Sequence, residues 1–365
     1  MEIDGKDVMW SVAFLEQPDR DHHIVCGGNE GKVRHWRVRD GSEVGTPMDV
    51  GSLICSIAVS RDGKWIVSGA KSGQVTVWRA ENHEKAIEFK GHNDSVYAVD
   101  IVPDGTKIMT GSADKTACVW SFNGKQLLAP FAHDFIVVAV KASPDGCLLA
   151  TATWCHNSIR IYDSQNGSIL LELLIQVSSP RNDSLTWAHD SRQLFALSHD
   201  GNVYCLDVLT RQSFSKWAIH SQIEPRCVSL ESNGAFIAAT DRSSVSFWDT
   251  ITHNQIGPVI YHPATILSMA ISTNGDFLIG GDGKTTLWNL REVLPPSYLH
   301  HVHVHRMPDA KDKALALCSQ EETFETPRTT PDLNQIHYSL RTQDEFKHSS
   351  VSTTTFLCFS DVHVH

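Results

Sequence analysis

A chain of 365 residues that is 41% hydrophobic and 20% charged holds enough apolar material for a sizeable core. Its formal net charge of -11 argues against a dedicated nucleic-acid binder, which would show a basic footprint. No run approaches the roughly 18–20 apolar residues of a membrane span, since the best, Ile169 to Ile175, carries Glu172.

The N-terminal MEIDGKDVMW lacks the basic and apolar regions of a secretory signal. Nine cysteines without a CxxC spacing are expected to be reduced thiols in a cytoplasmic or nuclear protein.

Along the chain, a short β-branched run ending in a large residue recurs as VRHW at Trp36, VTVW at Trp78, ACVW at Trp120 and IRIY at Tyr162. It continues weakly as VYCL at Leu206, then as VSFW at Trp248 and TTLW at Trp288. The intervals are 42, 42, 42, 44, 42 and 40 residues, a single period. Turn sequences run in phase with it: Pro18-Asp19, Arg61-Asp62-Gly63, Pro103-Asp104-Gly105, Pro144-Asp145-Gly146, Asp190-Ser191, Asn233-Gly234 and Asn274-Gly275. Asp-Gly and Asn-Gly steps tolerate positive φ and join antiparallel strands tightly. Between markers the chain alternates or runs apolar over four to eight residues, as in SVYAVDIV and KIMTGS, which is strand period. The pattern predicts seven sheets with third strands centred near residues 36, 78, 120, 162, 206, 248 and 288.

Residues 91–120, GHNDSVYAVDIVPDGTKIMTGSADKTACVW, resemble a WD repeat, and Phe247-Trp248-Asp249 ends another in the family's manner. The resemblance spans residues 8–290 and implies an all-β, seven-bladed WD-repeat β-propeller, a ring of four-stranded sheets around a channel. It also implies a buried polar set in each blade: a His before the inner strand, a hydroxyl on the second strand, an Asp in the next turn and a Trp on the third. Buried polar groups need partners, and this set would tie loop, turn and strand together. Blade 3 has His92, Thr110 or Ser112, Asp114 and Trp120. Blade 7 has His262, Asp282 and Trp288, with Leu278 and Gly280 at the hydroxyl positions. Blade 4 keeps His133 but has Tyr162 for Trp; blade 5 keeps only Asp200; blade 2 has Val50 and Ser72 where His and Asp are expected. Blade 3 is therefore expected to be the best ordered and blade 5 the weakest.

The sequence contains no GxSxG, HExxH, GxGxxG or GxxxxGK[ST] motif, and no catalytic residue, cofactor or small-molecule substrate is expected. In His300-His301-Val302-His303-Val304-His305, three imidazoles share one face of an extended segment. Zinc or copper ligation is weighed there against an edge strand with polar residues outward, and the latter is preferred. The C-terminal Asp361-Val362-His363-Val364-His365 receives the same reading.

The expected organisation is a propeller over residues 1–294, a candidate closing strand at 298–304 and a disordered Ser/Thr/His-rich tail at 306–365. Thr326-Pro327 and Thr330-Pro331 are candidate proline-directed phosphorylation sites at Thr326 and Thr330. The N-terminus is expected to be too short to supply an outer strand to the last blade. Aligning Val12 with Val99 leaves four residues before the position matching His92, so closure is expected from the C-terminal side.

The function expected from the resemblance is a non-catalytic scaffold or adaptor for other proteins. Candidate partner-binding residues in the loops of one face are Phe135, Trp154, His156, Arg181, Glu224, Arg226 and Arg242. The alternative is a fragment or regulatory subunit of a larger assembly whose effector domain is absent.

Overall fold

The strands form because both faces of each sheet are covered. In blade 3 the second strand, Lys107–Ser112, and the third, Thr116–Ser121, are buried at nearly every position. Their small and β-branched residues suit strands pressed between neighbouring sheets. The outer strand of blade 2, Lys85–Lys90, instead alternates between exposed and half-buried positions. The hairpin turns behave as their sequences require. Asp62, Asp104 and Asp145 each accept the backbone N–H two residues on, at 3.1, 2.8 and 3.0 Å. Gly63 and Gly105 adopt φ of 68° and 69°.

The computed structural model describes residues 2–4, 8–16, 21–154, 158–175, 184–198, 201–208, 210, 214–219, 230–232, 234–281 and 284–299. They form seven four-stranded antiparallel sheets. The third strands are Lys32–Arg37, Gln74–Arg79, Thr116–Ser121, Ile159–Asp163, Asn202–Asp207, Ser244–Asp249 and Lys284–Asn289, at the seven expected places. The described residues contain no α-helix, and no helix is long and apolar enough to cross a membrane.

The innermost strands pack in a closed cycle, each on the next, with Met9–Glu16 of blade 1 against Ser268–Ile271 of blade 7. The core is correspondingly divided among the seams between blades. Val67, Val75 and Val77 of blade 2, for example, cluster with Val99, Ile108 and Trp120 of blade 3. Seven such clusters are present, one for each seam. Hydrogen bonds cross the inner ring as well. The hydroxyl of Ser268 accepts from Val12 N at 3.3 Å, Ser11 from Ile57 N at 2.9 Å and Ser56 from Val99 N at 3.1 Å. At the next seam the Asp100 carboxylate accepts from Ala142 N at 2.7 Å.

Ring closure differs from the expectation. Glu2–Asp4 is the outer strand of blade 7 and pairs antiparallel with Lys284–Thr286 of the third strand. The requirement of five or six residues for an outer strand was too strict. The outer strands of blades 1 and 3, Met48–Asp49 and Phe131–Ala132, have only two residues each. An outer strand needs only the free edge of its neighbour, and three residues after Met1 suffice. The candidate closing strand at 298–304 is corrected accordingly. Tyr298 ends a 3-10 turn, Pro296–Tyr298, and donates its hydroxyl to Asp249 at 2.8 Å. Leu299 packs into the seam between blades 6 and 7 beside Leu290 and Leu294. Residues 300–304, including the His300–His305 cluster, lie outside the described residues, as do Thr326, Thr330 and the rest of the expected tail.

Candidate functional site

The face in question is the end of the ring where inner strands begin and third strands start. In blade 3 it is held by a directed chain of hydrogen bonds. Trp120 Nε1 donates to Thr110 Oγ1 at 2.8 Å, Thr110 meets His92 Nε2 at 2.7 Å, and His92 Nδ1 meets Asp114 at 3.0 Å. Asp114 is a carboxylate and only accepts, so His92 carries its hydrogen on Nδ1 and Nε2 takes the threonine proton. Burial works to lift the Asp114 pKa, but the Thr116 hydroxyl, His92 and Asn93 N–H more than offset it, leaving it lowered. Burial lowers the pKa of His92 against the opposing pull of Asp114. Ser112 lies outside this chain. Its hydroxyl donates to Asp94 O at 3.1 Å and accepts from Asp114 N at 3.0 Å, fixing the loop and turn.

The histidine also joins blades. His92 N donates to Gly73 O of blade 2 while its ring is held in blade 3. Blade 4 repeats the device with other atoms. His133 N donates to Lys115 O of blade 3, and its Nε2 lies 3.3 Å from Thr151 Oγ1 and 3.2 Å from the Tyr162 hydroxyl. Arg160 takes the Nδ1 side at 3.5 Å. Burial, helped by the Arg160 charge and opposed by Asp134, brings the His133 pKa down to about 4. In blade 7 the chain is broken. Gly280 stands where Thr110 stands in blade 3, and His262 Nε2 is buried without a hydrogen-bond partner among the described residues. His262 Nδ1 turns to its own loop at Ala264, Trp288 packs edge-on to the ring at 6.0 Å, and Asp282 lies outside the described residues.

Of the candidate partner-binding residues, Phe135, Trp154 and Arg242 are described, and His156, Arg181, Glu224 and Arg226 are not. Phe135 is half-buried with the Lys115 ammonium 6.0 Å above its ring, a cation–π contact across blades 3 and 4. Trp154 joins Ile136 by a backbone bond of 3.0 Å, and its side chain, half-buried, packs on the core between blades 4 and 5. It therefore serves packing as well as surface. Arg242 is exposed in a turn with φ of 51° just before the third strand of blade 6. The structure thus groups Phe135 and Trp154 with Lys115 and leaves Arg242 apart.

Bulged residues near the start of the inner strands escaped the sequence reading. The inner strands of blades 1–4 each shift register at one level, between Met9 and Ser11, Ile54 and Ser56, Val96 and Ala98, and Val137 and Ala139. One residue per strand is left out of the ladder: Trp10, Cys55, Tyr97 and Val138. A β-bulge re-aims the side chain it carries. Trp10, Cys55 and Tyr97 are half-buried, and Trp10 Nε1 donates to Asn29 in the adjoining turn at 2.6 Å. The available signal was the recurrence of MWSV, ICSI, VYAV and VVAV one period apart.

A second unpredicted arrangement links blades 1 and 2. His23 Nδ1 lies 2.7 Å from His35 Nε2, His35 Nδ1 lies 2.8 Å from His83 Nε2, and His83 Nδ1 lies 3.2 Å from Thr46 O. Thr46 O can only accept, so His83 donates to it through Nδ1. The rings lie in series, not around a common point. Among the described residues no group of three or more His, Cys, Asp or Glu is arranged to hold a metal. The five described cysteines form no disulfide, and burial pushes Cys26 up to about 12 and Cys118 up to about 11, leaving inert thiols.

Comparison with known proteins places these blades in a family. The model of the WD domain, G-beta repeat, matches residues 48–79, 84–121, 124–163 and 256–289. The chain is similar to the target of rapamycin complex subunit wat1 of Schizosaccharomyces pombe, 24% identical over 243 residues, covering 64% of this chain and 76% of that one. It is 29% identical over 143 residues to the small ribosomal subunit protein RACK1y of Oryza sativa subsp. japonica, covering 38% and 42%. It is 26% identical over 200 residues to a guanine nucleotide-binding protein subunit beta of Arabidopsis thaliana, covering 52% and 51%. With four repeat matches set in a ring of seven sheets, the chain belongs to the WD-repeat propeller family.

Proposed function

We propose that the chain is a non-catalytic scaffold that holds protein partners on the channel-mouth face of blades 1–4. The observation that carries this reading is the row of bulges. Four successive inner strands lift one residue each out of the ladder at the same level, and two of those residues are Trp10 and Tyr97. Aromatic side chains on a rigid frame bind at low entropic cost and are enriched among interface hot spots. The Lys115–Phe135 pair and Trp154 extend the surface around the rim. The three relatives are named as a complex subunit, a protein of the small ribosomal subunit and a guanine nucleotide-binding protein subunit, which supports a role within an assembly and keeps a regulatory subunit as a form of the same reading. The net charge of -11 weighs against nucleic acid, and a cytoplasmic or nuclear setting fits the unpaired cysteines.

The test is affinity capture from the native cell with the whole chain, comparing wild type with the Trp10→Ala/Tyr97→Ala pair. The reading expects partners to be lost while the thermal unfolding midpoint of the variant stays within a few degrees. Capture of the same partners at the same yield would count against it.

A further inference from the structure

Residues 290–299 follow the last third strand and seal the seam between blades 6 and 7, where Leu290, Leu294 and Leu299 are buried beside Phe236, Phe247 and Leu278. The segment approaches blade 6 so closely that a Cβ at Gly257 would stand 2.9 Å from Val293 O. Between the anchors Leu294 and Leu299 the chain reads Pro295-Pro296-Ser297-Tyr298, and the first three of these residues are exposed. Pro295 has φ of -57° and ψ of 142°, which is the polyproline II conformation. Pro296 opens the 3-10 turn Pro296–Tyr298, a place that suits proline, but the turn itself does not call for a second proline ahead of it.

We infer that residues 295–298 are a ligand for a small domain of the WW type, which reads polyproline II segments in an aromatic-lined groove, and that the Tyr298–Asp249 hydrogen bond holds this ligand in check. Such a groove stacks proline rings between aromatic side chains and donates hydrogen bonds to the backbone carbonyls, since proline has no N–H to offer. Polyproline II has three residues per turn and rises about 3.1 Å per residue, so positions three apart share a face. In an extended segment Pro295 and Tyr298 would stand on one face about 9 Å apart, an apolar ring and a phenol for two neighbouring pockets. A groove that takes two prolines three apart, as SH3 domains do, finds tyrosine at 298 in place of the second.

The folded chain already uses the same polar groups. Pro295 O accepts from Tyr298 N at 3.0 Å, and Pro296 O accepts from Leu299 N at 3.1 Å. The Tyr298 hydroxyl is donated to Asp249 at 2.8 Å, and its ring is half-buried against the core of the seam. Binding therefore requires the turn to open and Tyr298 to leave Asp249, while Leu290 and Leu294 keep the segment on the ring. The exposed prolines offer the first contact, and the apparent affinity is lowered by the fraction of chains in the open form.

The probe is an isolated WW domain that binds Pro-Pro-x-Tyr peptides, titrated calorimetrically with the whole chain. The wild type is expected to bind weakly, with a dissociation constant between about 10 and about 500 μM. Asp249→Ala, which releases Tyr298, should tighten binding at least about threefold. Leu299→Ala opens the same turn from its other anchor and carries the same expectation if Asp249→Ala unfolds early. Pro296→Ala should weaken binding at least about tenfold in both the wild-type and the released chain, with thermal unfolding midpoints within a few degrees of their parents. An isolated SH3 domain should not bind. No binding by either the wild type or the released chain at about 500 μM would overturn the inference. Binding that Pro296→Ala leaves unchanged, binding that release of Tyr298 does not tighten, or equal binding to the SH3 domain would overturn it too.

Discussion

Blades 3 and 7 carry the same histidine and the same tryptophan at matching places, yet only blade 3 connects them. Thr110 stands between Trp120 and His92, and Gly280 leaves His262 Nε2 with nothing to bond among the described residues. Blade 3 is also continuous in sequence, while blade 7 takes its outer strand from Glu2–Asp4 and the rest from Ser268–Asn289. The comparison teaches that the hydroxyl, not the more conspicuous His or Trp, decides whether the set acts as a unit. A blade without it must draw its stability from packing and from the closing strand.

The sharpest way to break the comparison is to remove the hydroxyl from blade 3. Thr110→Val keeps the shape but strands both Trp120 Nε1 and His92 Nε2. Each buried unsatisfied group costs about 1–3 kcal/mol, so a loss of roughly 2–5 kcal/mol is expected in denaturant unfolding. A loss below about 1 kcal/mol would show that blade 3 does not depend on the chain.

Acid comes next, and here the sign is fixed by the buried histidines. His133 is held at about 4 in the folded chain, against about 6.5 when unfolded. Between those values the unfolded state binds a proton that the folded state refuses. Its stabilising contribution is thus full above about pH 6.5 and falls by about 3 kcal/mol as the pH drops to about 4. His92 is depressed in the same direction. Replacing His133 with Asn should flatten that part of the stability–pH curve.

Deleting residues 1–4 removes the strand paired with Lys284–Thr286 and should cost roughly 1–3 kcal/mol, from two or three hydrogen bonds. Hydrogen exchange should then show blade 7 opening ahead of blade 3. The smallest effect is expected from Gly280→Ser, which offers His262 a hydroxyl but brings a Cβ to 3.1 Å from Ile266 Cγ2. Gain and crowding oppose each other, and a change within about 1 kcal/mol is expected.

Much of this architecture could be read from the sequence because it is local and periodic. Trp36, Trp78, Trp120 and Tyr162 recur 42 residues apart and lie in equivalent third strands. The blade 3 set was legible for the same reason, since His92, Thr110, Asp114 and Trp120 sit within one period. Ring closure was not, because Glu-Ile-Asp has no strand character of its own and becomes a strand only against the free edge of blade 7. The His23–His35–His83 chain was hidden for a related reason: its two ends belong to different blades and meet only when the seam packs. Trp10 and Tyr97 looked like ordinary strand residues, and only the register shift beside each marks them out.

Partner binding at the channel-mouth face is the central proposal for this chain. Hydrogen–deuterium exchange of the whole chain, with and without a partner captured by the wild type, tests that directly. The account predicts slowed exchange at the bulged segments 9–11, 54–56 and 96–98, and in the turn and loop around Lys115 and Phe135. Protection confined to the hairpins at the opposite end of the sheets, around Asp62, Asp104 and Asp145, would contradict it.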